Sequence, residues 1–275
     1  KDIINSSRIK VVRLTQIFRQ AQESAIVTNA HRINQGKYPI TNQKHTDFFL
    51  MQRAVQSEVV ETLLGLASER LPRFQKCYPL RDIQVLAPMR KGLLGVNELN
   101  KSLQQTLNPP HPSKVEKEFR AGIFRTGDKV MQIKNNYNTP WKIYNNVGIK
   151  YDEGVGVFNG DCGIIQEINH QRELITVLFD DQKTVEYDYG QLDELELAYA
   201  VTIHKSQGSE YPIVILPIHS GPPMLLNRNL LYTAVTRAKN LVVVVGLRET
   251  VYKMVDNNQE IERFSSLAIH MKNMP

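Results

Sequence analysis

Three short runs with few polar side chains constrain this chain most: DIQVLAP at 82–88, YPIVILPI at 211–218 and LVVVVG at 241–246. A brief apolar run without alternation fits a strand covered on both faces, as in a parallel sheet flanked by helices. Helical patterns accompany these runs. Ile26, Ala30 and Ile33 recur at helical spacing, with Ser24 placed to cap the helix and Gly36 to end it. Val60, Leu63, Leu64 and Ala67 share one face of a second helix, expected over 57–70 and stopped before Pro72. The loop MRKGLLG at 89–95 leads to a third, with Val96, Leu99, Leu103 and Leu107 inward and Pro109 closing it. Leu231, Ala234, Val235 and Ala238 mark a fourth, over 230–238. Strands alternating with helices in this way predict an α/β domain.

The pattern breaks between Phe119 and Leu195. There DKVMQIKN, CGIIQEIN, ELITVLFD and KTVEYDY give short β-branched runs split by turn residues, the spacing of a small antiparallel barrel. Within it, 134–154 is rich in Asn and interleaved with Tyr137, Trp141, Tyr144 and Tyr151, and reads as an exposed loop. The expected organisation is therefore an α/β domain over 1–118 and 196–275, interrupted by a β-rich insertion over 119–195.

Charge is uneven along the 275 residues. The net +6 comes from 23 basic and 11 acidic side chains in the first 145 residues, against 11 and 17 in the rest. A basic half suits a polyanion surface. Apolar residues at 41% and charged residues at 23% exclude a disordered or coiled-coil chain. The longest apolar stretch falls far short of the ~20 residues that span a bilayer, so no membrane partner is expected. Cys77 and Cys162, without a CxxC pair, offer neither a disulfide framework nor a cysteine-rich zinc site. Together with the absence of a secretory pattern, they lead us to expect a reduced, cytoplasmic protein. A start at Lys1 rather than Met suggests a piece of a longer polypeptide.

Two stretches carry chemistry. In AYAVTIHKSQGSEY, from Ala198, Thr202 stands at a strand end, His204 and Lys205 open the following turn, and Gly208 lets the chain leave it. Hydroxyl, imidazole, ammonium and backbone N–H groups at one strand edge can cradle phosphate, although a capped turn with a solvated lysine has the same sequence. In NLLYTAVTRAK, from Asn229, Thr233 and Arg237 lie one turn apart and away from the core. A cation there also suits the helix dipole. No GxSxG elbow is present, which argues against triad hydrolysis.

TIHKSQGSEY and LLYTAVTRAK resemble motifs V and VI of superfamily 1 helicases. LTQIFRQAQESAIVTNAHRINQG, VLAPMRKGLLGVNELN, FRTGDKVMQIKNNY and VFNGDCG resemble, in the same order, blocks of the RecD-like subgroup of superfamily 1B, the exodeoxyribonuclease V α-subunit family. The resemblance implies a RecA-like second motor lobe (2A) with an inserted SH3-like barrel (2B). The GxxxxGK[ST] P-loop and the acidic Mg²⁺ motif are missing from this chain. ATP and Mg²⁺ would therefore be held mainly by an N-terminal lobe, and the chain alone would not hydrolyse ATP.

The resemblance further implies that Arg19 and Arg237 are arginine fingers, with Gln20, Gly208 and Glu210 at the ATP interface. It places Thr202, His204, Lys205, Arg90, Lys91, Asn97 and Asn100 along single-stranded DNA. No residue is expected to ligate a metal. Tyr137, Trp141 and Tyr144 could stack on bases. Further exodeoxyribonuclease V subunits are candidate partners, and movement would run 5′ to 3′. A non-catalytic nucleic-acid-binding or docking module with relic motifs is the alternative.

Overall fold

The computed structural model describes residues 2–6, 8–12, 24–44, 46–120, 122–258 and 266–272. Helix α1 (Ala25–Asn34) buries Ile26, Ala30 and Ile33, and Gly36, at φ +75°, turns the chain out of it. Its cap differs from expectation. Asp47 Oδ1 accepts from the Ile26 amide at 3.0 Å while Oδ2 accepts from the Ser24 hydroxyl at 2.5 Å, so a carboxylate 21 residues away satisfies the helix start. Strand β1 (Phe48–Gln52) follows, then α2 (Gln56–Gly65).

The second helix does not stop before Pro72. A π-helical turn, Leu66–Arg70, leads into a further helical segment, Leu71–Gln75, and the proline falls in that segment's first turn, where a missing N–H costs least. Left-handed Lys76, at φ +51°, ends the helical run. Strand β2 (Ile83–Ala87) is buried at all five positions, and α3 (Val96–Leu107) packs Leu99 and Leu103 inward.

A hairpin of β3 (Glu116–Phe119) and β4 (Gly122–Arg125) then straddles residue 119. Seven strands follow: β5 (Lys129–Gln132), β6 (Asn136–Tyr144), β7 (Lys150–Val157), β8 (Cys162–Asn169), β9 (Leu174–Phe179), β10 (Thr184–Asp188) and β11 (Leu195–Leu197). They form an antiparallel sheet in the order β11-β5-β8-β9-β10-β6-β7 around Val130, Ile165, Ile175, Val177, Val185 and Tyr187. The expected loop over 134–154 is mostly hairpin. Its strands β6 and β7 pair from Asn136↔Val157 to Tyr144↔Lys150, and their side chains are largely exposed, which hides the strand pattern among polar residues.

The chain returns through β12 (Ala200–Thr202), β13 (Tyr211–Ile218), α4 (Arg228–Val235), β14 (Ala238–Gly246) and α5 (Arg248–Asp256). Helix α4 is shorter than expected: the Tyr211 amide donates to Arg237 O at 2.9 Å, and Ala238 opens β14 instead of extending the helix. A parallel sheet forms in the order β1-β14-β13-β2-β12. Alternate side chains of its central strands enter different cores. Val214, Leu216, Val242 and Val244 meet α1, α4 and α5, whereas Ile213, Ile215, Val243 and Val245 meet α2 and α3. Both faces are thus covered, as the unbroken apolar runs require.

One buried carboxylate joins the two sheets. Asp128, fully buried, accepts from Gln104 Nε2 at 2.6 Å, Asn108 Nδ2 at 2.7 Å, the Arg125 amide at 2.6 Å and the Tyr199 hydroxyl at 2.8 Å. Burial pushes its carboxyl upward despite these four donors. Arg125, also buried, donates to Glu116 Oε1 at 2.5 Å and to Asn108 O at 2.5 Å. Asp128→Ala would leave the donors unpaired and is expected to cost about 3 kcal/mol, read as a lower urea midpoint of unfolding.

Candidate nucleic-acid and phosphate interface

Two groups of side chains lie at different ends of the parallel strands. The first follows the C-terminal ends of β2 and β12, where Thr202 pairs with Ala87. After β2 the loop closes tightly on α3: the Val96 and Asn97 amides donate to Met89 O and Arg90 O, at 3.1 and 3.2 Å. Gly95 permits that approach, since a Cβ there would lie 2.6 Å from Arg90 O. Asn97 therefore does not cap the helix; it stands exposed in the first turn, with Lys91 exposed in the loop. Asn100 is buried, and its amide donates to Leu197 O and Ala200 O and accepts from the Ala200 amide. It pins α3 to β12 and presents nothing to solvent.

After β12 the Lys205 amide donates to Thr202 Oγ1 at 3.3 Å and the buried Ser206 hydroxyl donates to Ile203 O at 2.7 Å, folding the segment into a tight turn. His204 projects outward. Lys205 and Arg90, far apart in sequence, converge on one residue that the motifs do not reveal. Glu196 Oε2 accepts from Lys205 Nζ at 2.9 Å and Oε1 from Arg90 at 2.7 Å. Burial opposes the charge on Glu196, but the hydrogen bonds from Lys205 and Arg90 outweigh it and hold the carboxyl below its usual range. The only sequence sign of Glu196 was an acid just ahead of a buried strand.

The second group lies where β13 and β14 begin. Gly208, at φ +94°, turns the chain towards Ser209, Glu210 and the buried Tyr211. The Arg237 guanidinium donates to Ser209 O at 3.0 Å, Thr233 O at 3.3 Å and Thr236 Oγ1 at 3.4 Å. It thereby ties the end of α4 to the turn after β12 and leaves two of its five N–H groups unclaimed among the described residues. Glu210 pairs with Lys239 at 3.4 Å. Arg19 and Gln20 lie outside the described residues.

Among the described residues no cluster of three or more His, Cys, Asp or Glu could hold a metal, and no helix is long and apolar enough to cross a membrane. Tyr137 and Tyr144 are exposed, but Trp141 is half-buried, wedged against Gly154 with Lys183 Nζ 5.1 Å from its ring centroid.

Residues 197–245, which include the turn after β12 and the whole second group, match the UvrD-like helicase C-terminal domain. Residues 99–179 match the SH3 domain of ATP-dependent RecD-like DNA helicases. The ATP-dependent RecD2 DNA helicase of Deinococcus radiodurans is 32% identical over 235 residues, 86% of this chain and 28% of that protein. The RecBCD enzyme subunit RecD of Mycobacterium tuberculosis is 40% identical over 100 residues, 36% of this chain and 17% of the subunit. The chain thus spans less than a third of these relatives. A Bacteroides Pif1 helicase solved with ADP-AlF3 and single-stranded DNA aligns over 88% of the chain and 53% of its own, at 20% identity and a TM-score of 0.48. The matched domains are those of a helicase C-terminal region. Within that class, the chain's likeness is to the RecD-like helicases.

The Glu196 bridge has a pH signature. A carboxyl held low in the folded state adds stability above its unfolded pKa and loses it as pH falls through the folded value. Glu196→Gln removes this increment, so the gap between the urea midpoints of wild type and variant is expected to be widest near neutral pH and to shrink under acid.

Proposed function

We propose that this chain is the second motor lobe of an ATP-dependent 5′–3′ DNA helicase, with residues 119–195 as an inserted barrel. The observation that carries this reading is the placement of the two motif-derived groups. The Lys205–Arg90 pair follows the C-terminal strand ends, and Arg237 stands at the N-terminal ends of β13 and β14. One end can hold a DNA backbone while the other faces a nucleotide.

The chemistry divides accordingly. Thr202, His204, Lys205, Arg90, Lys91 and Asn97 hold phosphates without reading sequence, which suits a moving motor. Arg237, and Arg19 by motif, reach the γ-phosphate of ATP held by a P-loop lobe, with Gln20, Gly208 and Glu210 shaping that contact. A guanidinium in the developing charge can be worth roughly 10³ to 10⁵ in rate. The Mg²⁺ ion belongs with the P-loop lobe; among the described residues no cluster of His, Cys, Asp or Glu fits it. Because Arg237 is bonded to Ser209 in the turn that begins at Thr202, lobe closure on the nucleotide shifts the same turn that grips the strand. Partnership with other exodeoxyribonuclease V subunits rests on the RecD likeness.

The test is ATP hydrolysis with and without single-stranded DNA, on this chain and on the polypeptide extended upstream through a P-loop lobe. DNA-stimulated turnover is expected only in the extended protein, where Arg237→Ala reduces kcat at least 10³-fold and leaves DNA affinity within about twofold. Absence of turnover in the extended protein would instead favour a non-catalytic binding module.

A further inference from the structure

A cavity of about 280 Å³ opens beside the Lys205–Arg90 pair, between the first turns of α3 and the β3–β4 hairpin. Val96, Ile123, Phe124, Leu195 and Leu197 give it apolar walls, and Phe119 adds a half-buried ring. Its rim carries both charges, with cations in excess. Arg90, Lys101 and Arg120 border it beside Glu98 and Glu196, which pair with Lys101 at 2.8 Å and with Arg90 at 2.7 Å, and the exposed Asn97 amide supplies one donor and one acceptor group. The Arg120 guanidinium lies 5.0 Å from the Phe119 ring centroid, and its backbone is left-handed at φ +53°.

We propose that this cavity takes a single nucleobase, turned out of the strand that Lys205 and Arg90 hold. The proposal rests on the strand track proposed above and deepens it. An apolar pocket alone would suit many side chains, but at this mouth the cations outnumber the carboxylates three to two and the Arg120 guanidinium sits on the Phe119 ring, which favours a flat apolar group attached to a polyanion. A nucleobase has the required duality: a π-face for Phe119 and the Arg120 plane, and a polar edge for Asn97. Position supports the same occupant. Arg90 and the carboxylate Glu196 that joins it to Lys205 also line the cavity, so a backbone lying on the Lys205–Arg90 pair passes over the mouth. Stacking accepts any base, which keeps the contact compatible with movement along arbitrary sequence. The barrel-side hairpin would then grip bases while the lobe grips phosphates.

The experiment compares oligo-dT with an abasic oligonucleotide of equal length by fluorescence anisotropy, using wild type, Phe119→Leu and Arg120→Ala. Leucine keeps an apolar side chain against Phe124, and Arg120 is exposed, so the second variant tests the cavity without touching the core. Wild type is expected to prefer oligo-dT by about tenfold. Both variants should lose most of that preference while binding the abasic strand as wild type does. Equal preference in wild type and both variants would overturn the base pocket and leave the phosphate track standing. Failure of wild type to bind either strand in a salt-dependent way would overturn the track itself, and the pocket with it.

Discussion

The buried Asp128 carboxylate is the constraint on which the arrangement of the two sheets depends. It is reached from three directions: by α3 and the residue that ends it through Gln104 and Asn108, by the β4–β5 corner through the Arg125 amide, and by the segment entering β12 through Tyr199. Withdrawing a carboxylate from water is costly, and only a full set of donors makes it tolerable. The same donors are useless to one another without it. The insertion is fastened to the parallel-sheet domain at this carboxylate and again along β11, where Glu196 takes Lys205 and Arg90 and Leu197 O takes the Asn100 amide, and the cavity lies beside those links.

Much of the fold was legible because burial on two faces leaves a plain mark. The apolar runs at 82–88, 211–218 and 241–246 contain β2, β13 and much of β14, and three of the helix faces fell where spacing put them. What escaped was non-local. No pattern near Ser24 announces that Asp47 will supply its helix cap, and none near Pro72 announces a π-turn that makes room for it. The β6–β7 hairpin escaped for a different reason: it has little inside to alternate with.

The candidate site was legible in the same uneven way. Motif likeness pointed to Lys205, Arg90 and Arg237, because charge at turn positions can be seen in a string of letters. Glu196 could not be found that way, since its meaning lies in two cations brought to it by separate loops. Asn100 shows the converse. It sits in a promising block, yet its amide is spent on the backbone of β11 and β12, a use visible only once α3 and those strands are side by side.

Trp141 is the chain's single tryptophan, and it lies in the barrel, packed against Gly154 beneath Lys183. Indole emission therefore watches the inserted sheet alone, while helical circular dichroism watches the parallel-sheet domain, where the long helices are. The molecule carries an internal pair of optical channels, one for each side of the Asp128 junction. Superposition of their melting curves is a direct gauge of how tightly that junction makes the two sheets unfold as one.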